Sequence, residues 1–198
     1  MRTRHRAFVV ATIVALLVVS ASPVLVPERS PALARSMPSA LATPGDLAAV
    51  EPMTATVVVP MSGHTCAVME DGSLRCWGDN EGGAVGDGTR VDRWVPVEVG
   101  GLTGVAAVTG TSDTTCALIA DGTVQCWGDN EVGQLGDGTT TTRRTPGPVP
   151  GLADVVGLDG GYFHVCAALD NGTARCWGWG QSGELGDGTR EQRTAPVE

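Results

Sequence analysis

The chain has 198 residues, enough for one ordinary domain, and its 13 arginines, 22 acidic residues and lack of lysine give a formal charge of -9. Its 28 glycines and 12 prolines, together with few aromatic residues, favour turns and short strands over helices. The acidic balance argues against a nucleic-acid partner, because a phosphate backbone is normally bound by a basic surface.

The N-terminus has the pattern of an export signal. It begins MRTRHR and continues as AFVVATIVALLVV, which is typical of a signal peptide over residues 1–21 that is cleaved after Ala21 or, later, after Ala34. The alternative is that residues 7–26 are retained as a membrane anchor, and the cleaved signal is preferred. Either interpretation predicts that the rest of the chain is secreted or lies at the extracellular face of the membrane.

The rest of the chain divides into a linker and a repeat. Residues 22–53 are rich in Ala, Pro and Ser and show no sustained period, so they predict a disordered linker. Residues 54–198 contain one unit three times: HTCAVMEDGSLRCWG begins at residue 64, and TTCALIADGTVQCWG and HVCAALDNGTARCWG follow at steps of fifty residues. A fixed period of this length is the signature of a repeat architecture.

Each unit has the pattern of a β-hairpin that closes on a three-residue loop ending in glycine, such as Gly72. With Met69 opposite Ser73, the register places Cys66 directly opposite Cys76, on a non-hydrogen-bonded pair whose Cα atoms are within disulfide range. A two-residue turn would instead put the two cysteines on opposite faces. We therefore predict three hairpin disulfides: Cys66–Cys76, Cys116–Cys126 and Cys166–Cys176.

Neither face of the hairpin is wholly polar. One face carries Cys66, Val68, Leu74 and Cys76, and the other carries Ala67, Met69, Ser73, Arg75 and Trp77. Each hairpin follows a short strand, predicted at 56–59, 104–108 and 154–158, and precedes a connector with Gly-Asp-Gly-Thr and a proline-bearing strand. Each copy thus supplies about four short strands. Copies that cover one another's faces are typical of propeller blades, and the repeated tryptophans are then expected between blades.

The order of these motifs resembles a known family. GQLGDGT, a proline, a valine-rich strand, GxxHTCAL, DG and CWG follow one another as in the regulator of chromosome condensation repeat, and the similarity covers residues 56–198. The resemblance implies an all-β fold of the seven-bladed β-propeller type. The paired cysteines resemble the secreted bacterial version of the repeat.

Only about three four-stranded blades fit into residues 54–198, so the prediction is a partial β-propeller whose ring is not closed. The preferred explanation is that the chain is a fragment of a longer protein. The alternatives are self-association that covers the open blade edges, or a partial propeller held together by its disulfides.

The repeated polar residues do not make a catalytic set. His64 and His164 begin corresponding strands, but no nucleophile or third group recurs beside them, so we expect hydrogen bonding within the blade and no enzyme activity. Asp79, Glu81 and Asp87 suggest calcium ligands, yet their spacing fits no EF-hand loop and turn chemistry is preferred. The ten-residue step between paired cysteines suits disulfides better than zinc. No metal and no cofactor are expected.

Positions at which the copies differ are the candidate partner-binding residues. Met-Ser-Gly-His in the first copy becomes Thr-Ser-Asp-Thr and then Gly-Tyr-Phe-His, and two further tryptophans have no counterpart in the other copies. Loops that vary on a repeated scaffold usually carry specificity, and exposed aromatic residues there are candidate anchors, although drift between copies explains the differences equally well. The candidates are His64, Trp94, Asp113, Tyr162, Phe163, His164 and Trp179.

These features favour an exported, non-enzymatic interaction scaffold that binds an unidentified protein or a cell-surface component through its propeller loops. The family resemblance implies a second hypothesis, guanine nucleotide exchange or other GTPase regulation. The export signal and disulfides argue against it, because they place the protein outside the compartment where such regulation occurs. Resemblance to secreted β-lactamase inhibitory proteins of the same architecture implies a third, inhibition of an extracellular enzyme. A hydrolase or lyase is a fourth, for which no residue set is identified.

Overall fold

The computed structural model describes residues 54–198, and this part of the chain consists of twelve β-strands. The strands are β1 Ala55–Pro60, β2 His64–Met69, β3 Leu74–Gly78, β4 Arg93–Glu98, β5 Val105–Gly110, β6 Thr114–Ile119, β7 Val124–Gly128, β8 Arg143–Pro148, β9 Val155–Gly160, β10 His164–Leu169, β11 Ala174–Gly178 and β12 Arg193–Val197. Within residues 54–198 no helix is long and apolar enough to cross a bilayer. The signal peptide or anchor predicted for residues 1–21 and the linker predicted for 22–53 lie outside the described residues.

The strands form three antiparallel sheets of four. Their orders are β1-β2-β3-β4, β5-β6-β7-β8 and β9-β10-β11-β12, and we name these sheets blades 1, 2 and 3. The predicted all-β fold of about three four-stranded blades is confirmed, and the three sheets do not close into a ring.

The central hairpin of each blade has the predicted register. In blade 1 the Met69 N–H donates to the Ser73 carbonyl over 2.9 Å, and Gly72 closes the three-residue loop with a φ of 76°, an angle that glycine adopts without steric penalty. Cys66 lies opposite Cys76, and a disulfide joins them across a Cα–Cα distance of 4.1 Å. The other hairpins repeat this arrangement with the pairs Cys116–Cys126 and Cys166–Cys176.

The first strand of each blade lies on the inner side of the arc. β5 approaches both β1 and β9, whereas the fourth strand of each sheet lies at the opposite edge. These first strands run further than predicted, because β5 and β9 continue to Gly110 and Gly160 instead of ending at residues 108 and 158.

The hydrophobic core lies between neighbouring blades. One cluster joins Cys66, Val68, Leu74 and Cys76 of blade 1 to Ala117 and Trp127 of blade 2. A second cluster joins Cys116, Leu118, Val124 and Cys126 of blade 2 to Ala167 and Trp177 of blade 3. In blades 1 and 2, one face of the hairpin therefore covers the opposite face of the next hairpin, as the alternating pattern predicts.

The repeated tryptophans anchor these junctions. Trp127 and Trp177 are fully buried, and their indole N–H groups donate to the carbonyls of Ala84 and Gln134 in the preceding blade, each over 2.8 Å. Trp77 has the same position in blade 1 but is only half-buried, because no other blade of the described residues covers its face. The predicted packing between blades is confirmed for Trp127 and Trp177.

Candidate functional site

Two sets of loops leave each sheet at the same end. His64 at the start of β2 pairs with Gly78 at the end of β3, so the turn before β2 and the loop after β3 are neighbours. We name these segments the inner turns, 61–63, 111–113 and 161–163, and the connectors, 79–92, 129–142 and 179–192. The first N–H of each connector donates to the last carbonyl of its inner turn, over 2.8 to 3.0 Å. We call this side of the molecule the loop end.

A buried asparagine organises each of the first two connectors. The Asn80 side-chain oxygen accepts the N–H of Val85 at 3.0 Å, and its amide donates to the Val91 carbonyl at 3.1 Å. Asn130 makes the corresponding bonds in the second connector. A buried amide with partners on both sides of a loop holds that loop in one conformation. The repeated Asp-Asn pair is the sequence signal of this arrangement, and sequence reasoning missed it.

The aspartate of each Gly-Asp-Gly-Thr motif is tied into its own connector. Asp87 accepts the N–H and hydroxyl of Thr89 with one oxygen and forms an ion pair with Arg93 through the other. In the third connector, hydrogen bonds from Thr189 and an Arg193 partner lower the pKa of Asp187 to about 2. These contacts agree with the turn interpretation of the repeated acids, because both oxygens of Asp87 are bound by nearby residues, Thr89 of the connector and Arg93 at the start of β4.

The third connector departs from the plan of the other two. Trp179 and Gly180 stand where the other copies have Asp-Asn. An ideal Cβ on Gly180 would lie 2.3 Å from the Glu191 carbonyl oxygen, so no larger residue fits there without a shift. The Trp179 N–H still donates to the Phe163 carbonyl at 2.9 Å. An indole thus replaces a carboxylate at an unchanged backbone position.

An open cavity of about 620 Å³ lies at the loop end between blades 2 and 3. The second connector forms one wall, and the inner turn and connector of blade 3 form the other. The cavity brings together three aromatic side chains and three carboxylates: Tyr162, Phe163, Trp179, Asp129, Glu131 and Glu184. We name it the junction cavity.

The aromatic wall of the junction cavity is partly exposed. The Tyr162 and Phe163 rings meet edge to face, with centroids 4.4 Å apart. Tyr162 is 68% exposed, whereas Phe163 and Trp179 are half-buried. His164 also lines the cavity.

Two of the three carboxylates of the cavity are oriented by uncharged groups. The buried Gln134 amide donates to one oxygen of Asp129 at 3.1 Å, and the Thr142 hydroxyl donates to the other at 3.2 Å. Glu184 accepts the Ser182 N–H at 2.8 Å. Hydrogen bonds from the backbone N–H groups of Glu184 itself and of Ser182 hold the pKa of this carboxyl below its ordinary value. Glu184 is therefore ionised at neutral pH.

Four of the seven candidate partner-binding residues line the junction cavity: Tyr162, Phe163, His164 and Trp179. Asp113 does not, because it lies half-buried at the junction between blades 1 and 2. There its Cβ is only 3.0 Å from the point where a Cβ on Gly82 of the first connector would stand.

The sequence suggested His64 as a candidate partner-binding residue. In the structure it packs between two blades. It is 3% exposed, and its Nε2 lies 2.7 Å from the Thr115 hydroxyl of blade 2. Burial lowers the pKa of His64 to about 4, against the opposing effects of Asp113 and Asp79. The ring is therefore neutral at neutral pH. The predicted hydrogen bond within the blade is instead a bond to the neighbouring blade.

Trp94 lies away from the junction cavity, on β4, and is 90% exposed. In the other copies the corresponding position contacts the preceding connector. Arg144 lies 2.8 Å from the point where a Cβ on Gly83 would stand, and Thr194 lies 2.7 Å from the same point on Gly133. Trp94 therefore occupies a position that contacts the neighbouring blade in the other copies. It is exposed because no blade of the described residues packs against it.

Sequence reasoning missed the carboxylates of the cavity. Asp129 and Glu131 have acidic counterparts in the first copy, so a comparison of copies does not single them out. Glu184 replaces Gln134 of the second copy, which was a visible signal. Which acids face the aromatic turn depends on how neighbouring blades are oriented, and the fifty-residue period does not contain that information.

The sequence matches two models of the Regulator of chromosome condensation (RCC1) repeat. One covers residues 121–168, and the other covers 62–84, 105–134 and 155–184, so together they reach all three blades and span more than half of the chain. No curated protein sequence matches the chain.

Solved structures with a similar fold include human WBSCR16 and Prp20p from Saccharomyces cerevisiae. WBSCR16 is 23% identical with a TM-score of 0.66, over 75% of this chain and 38% of its own. Prp20p, whose binding properties to Gsp1p and histones are known, is 20% identical with a TM-score of 0.64, over 73% of this chain and 38% of its own. The chain thus spans about 38% of the length of these two proteins, and at such identities the similarity concerns the fold.

Proposed function

This chain belongs to the regulator of chromosome condensation repeat family, and from that premise we propose that it is an exported, non-enzymatic scaffold that binds another protein or a cell-surface component. The observation that carries the proposal is the junction cavity at the loop end of blades 2 and 3. A rigid repeated framework that presents partly exposed aromatic side chains in one variable place is typical of a binding surface.

Export is supported by the cysteines. All six form disulfides inside their own hairpins, which is compatible with an oxidising, extracellular compartment. The cleaved signal at residues 1–21 and the retained anchor at residues 7–26 stay predictions. Secretion and attachment to the extracellular face of a membrane are both consistent with the disulfides.

A binding role is also favoured by the chemistry of the cavity lining. Among the described residues, the lining contains no serine, threonine or cysteine that a neighbouring base would activate as a nucleophile. His64, the other histidine that begins a second strand, is buried against blade 2 and remains neutral. Rings and oriented carboxylates suit recognition of a ligand.

Regulation of a small GTPase is the second candidate function. Its motivation is that Prp20p, a structural neighbour, binds Gsp1p. Disulfides in every blade argue for a compartment that such GTPases do not occupy. Accelerated release of labelled guanine nucleotide from a small GTPase by this chain would replace the leading proposal.

Inhibition of an extracellular enzyme such as a β-lactamase is a special case of partner binding. It stays a prediction, because it rests on the resemblance of the repeats alone. Titration of secreted hydrolases with the exported protein tests it directly.

The leading proposal is tested by immobilising the full exported chain and passing intact cells and culture medium of the source organism over it. The variant combines Tyr162→Ala, Phe163→Ala and Trp179→Ala. The matched control combines Ser112→Ala and Asp113→Ala at the junction of blades 1 and 2. We expect a partner that is retained by the wild type and the control and lost with the triple variant. Equal retention by all three proteins, or turnover of a hydrolase substrate by the wild type, contradicts the proposal.

A further inference from the structure

We propose that the junction cavity binds an arginine side chain presented by a protein partner. This inference deepens the proposed function and rests on it, since it names the chemistry that the scaffold recognises.

Three aromatic rings are gathered where the fold does not require them. Tyr162 is 68% exposed, and Phe163 and Trp179 are half-buried beside it. The corresponding positions at the junction of blades 1 and 2 carry Ser112, Asp113 and Asp129. That junction has the equivalent interior cluster, and its described loops carry no Phe, Tyr or Trp, so the three rings do not serve packing between blades. The face of an aromatic ring attracts a cation within about 6 Å of its centroid.

The same cavity carries an excess of acidic groups, because three carboxylates line it beside a single histidine, His164. These carboxylates are Asp129, Glu131 and Glu184, and no arginine of residues 54–198 lines the cavity. In contrast, the aspartates of the Gly-Asp-Gly-Thr motifs each have an arginine partner in the described part of the chain. Gln134 and Thr142 orient Asp129 without removing its charge. The carboxylates are therefore positioned for a cation from outside.

The arrangement suits an extended organic cation better than a metal ion. Among the residues that the structure describes, no three His, Cys, Asp or Glu side chains could hold one metal ion together. A guanidinium group is planar, stacks on aromatic faces and donates two parallel hydrogen bonds to a carboxylate, whereas the ammonium of lysine is compact and strongly hydrated. Rings beside carboxylates match the first of these two cations.

The position of the cavity favours a side chain carried by a polypeptide. The cavity is open at the loop end and has a volume of about 620 Å³, which leaves room for the backbone that presents a long side chain. The formal charge of the chain is -9, so a basic partner is also attracted before contact.

The first experiment measures binding of small probes to the full exported chain at low salt. The indole N–H signals of its five tryptophans are followed by NMR, and Trp179→Phe assigns the signal of the cavity. The probes are the N-acetyl methylamides of arginine, lysine and glutamine, and tetramethylammonium. We expect the arginine probe alone to give a saturable shift of the Trp179 signal, with half-saturation in roughly the millimolar range. Added salt weakens the binding.

The second experiment removes the charges of the cavity. The double variant Asp129→Asn with Glu184→Gln keeps the side-chain shapes, and we expect it to bind the arginine probe about tenfold more weakly. The matched control is Asp79→Asn, which makes the equivalent change in the first connector and is expected to leave binding unchanged. The dispersion of the methyl signals shows that each variant is folded.

Equal shifts with the glutamine and arginine probes overturn the inference, and so does unchanged arginine binding in the double variant. Tetramethylammonium that binds as well as the arginine probe also overturns it, because a quaternary ammonium group would then be the better occupant. A captured partner that needs the three rings but is not displaced by the arginine probe removes this inference and leaves the proposed function intact. Arginine binding without any captured partner contradicts the proposed function and leaves the arginine-binding cavity intact.

Discussion

The two junctions between blades share an interior and differ at their rims. In both, a disulfide-bearing hairpin face packs on an alanine and a buried tryptophan of the next blade, and the indole donates to a connector carbonyl at 2.8 Å. At the loop end, the first junction holds a buried histidine, whereas the second opens into a cavity with three rings. The repeated interior therefore sets the fold, and the residues at the rim are free to differ.

The interior half of this comparison gives the largest expected effect. Trp127→Ala and Trp177→Ala each remove a fully buried indole, so each should lower the free energy of unfolding by about 3–5 kcal/mol. Trp77→Ala removes a half-buried ring and should cost roughly 1–2 kcal/mol. Denaturant unfolding of the three variants measures the difference.

An equal loss at all three positions would contradict this distinction. It would mean that the outward face of blade 1 is covered in solution, as the alternative of self-association at open blade edges requires. Sedimentation velocity of the wild type and of Trp77→Ala tests this directly. Self-association gives a dimer or larger species in the wild type that is lost in the variant.

The disulfides sharpen the comparison between covered and uncovered faces. Cys66–Cys76 and Cys116–Cys126 are fully buried under the next blade, whereas both sulfurs of the third pair belong to half-buried residues. We expect Cys166–Cys176 to be reduced first by a mild reductant, because attack on a disulfide needs access to sulfur. Alkylation followed by peptide mass spectrometry gives the order of reduction, and simultaneous reduction of all three disulfides would contradict the prediction.

Removing the Cys116–Cys126 pair by double substitution to serine should lower the free energy of unfolding by about 3 kcal/mol.

The buried histidine at the first junction predicts that stability depends on pH. The pKa of His64 is lowered to about 4 in the folded chain from an ordinary value of 6.5, so the unfolded chain binds the proton more readily. Stability should therefore fall as the pH drops through the window from about 6.5 to 4, by on the order of 3 kcal/mol from this group.

His64→Thr supplies the matched control, because threonine is the residue at this position in blade 2. The variant still contains the carboxylates that also respond to acid, so the difference between the two unfolding curves isolates the histidine. Parallel pH profiles for the wild type and the variant would show that His64 is not the source.

The sequence predicted the parts of this structure that depend on contacts within one hairpin. A three-residue turn ending in Gly72 determines which residues face each other, and the cysteine pairs follow from that register. Contacts between blades were only partly predictable. Alternation showed that both hairpin faces are covered, but the partner of His64 lies in another blade, at Thr115.

The candidate site was predicted to the same extent. Differences between copies identified Tyr162, Phe163 and Trp179, and the structure brings these three together. The same differences also selected Trp94, which lies on an outer strand. A comparison of copies detects that a residue has changed, whereas its position relative to the neighbouring blade decides whether the change contributes to a site.

The rim half of the comparison gives the smallest expected effect on stability. Tyr162→Ser introduces the residue that blade 2 carries at this position, and because the ring is 68% exposed we expect the free energy of unfolding to change by no more than about 0.5 kcal/mol. The same substitution should weaken binding at the junction cavity, since it removes one of the three rings. Denaturant unfolding and arginine titration of the one variant therefore measure both halves of the comparison. A loss of stability as large as that of Trp127→Ala would mean that the ring belongs to the interior, and the separation between a repeated core and a variable rim would no longer hold.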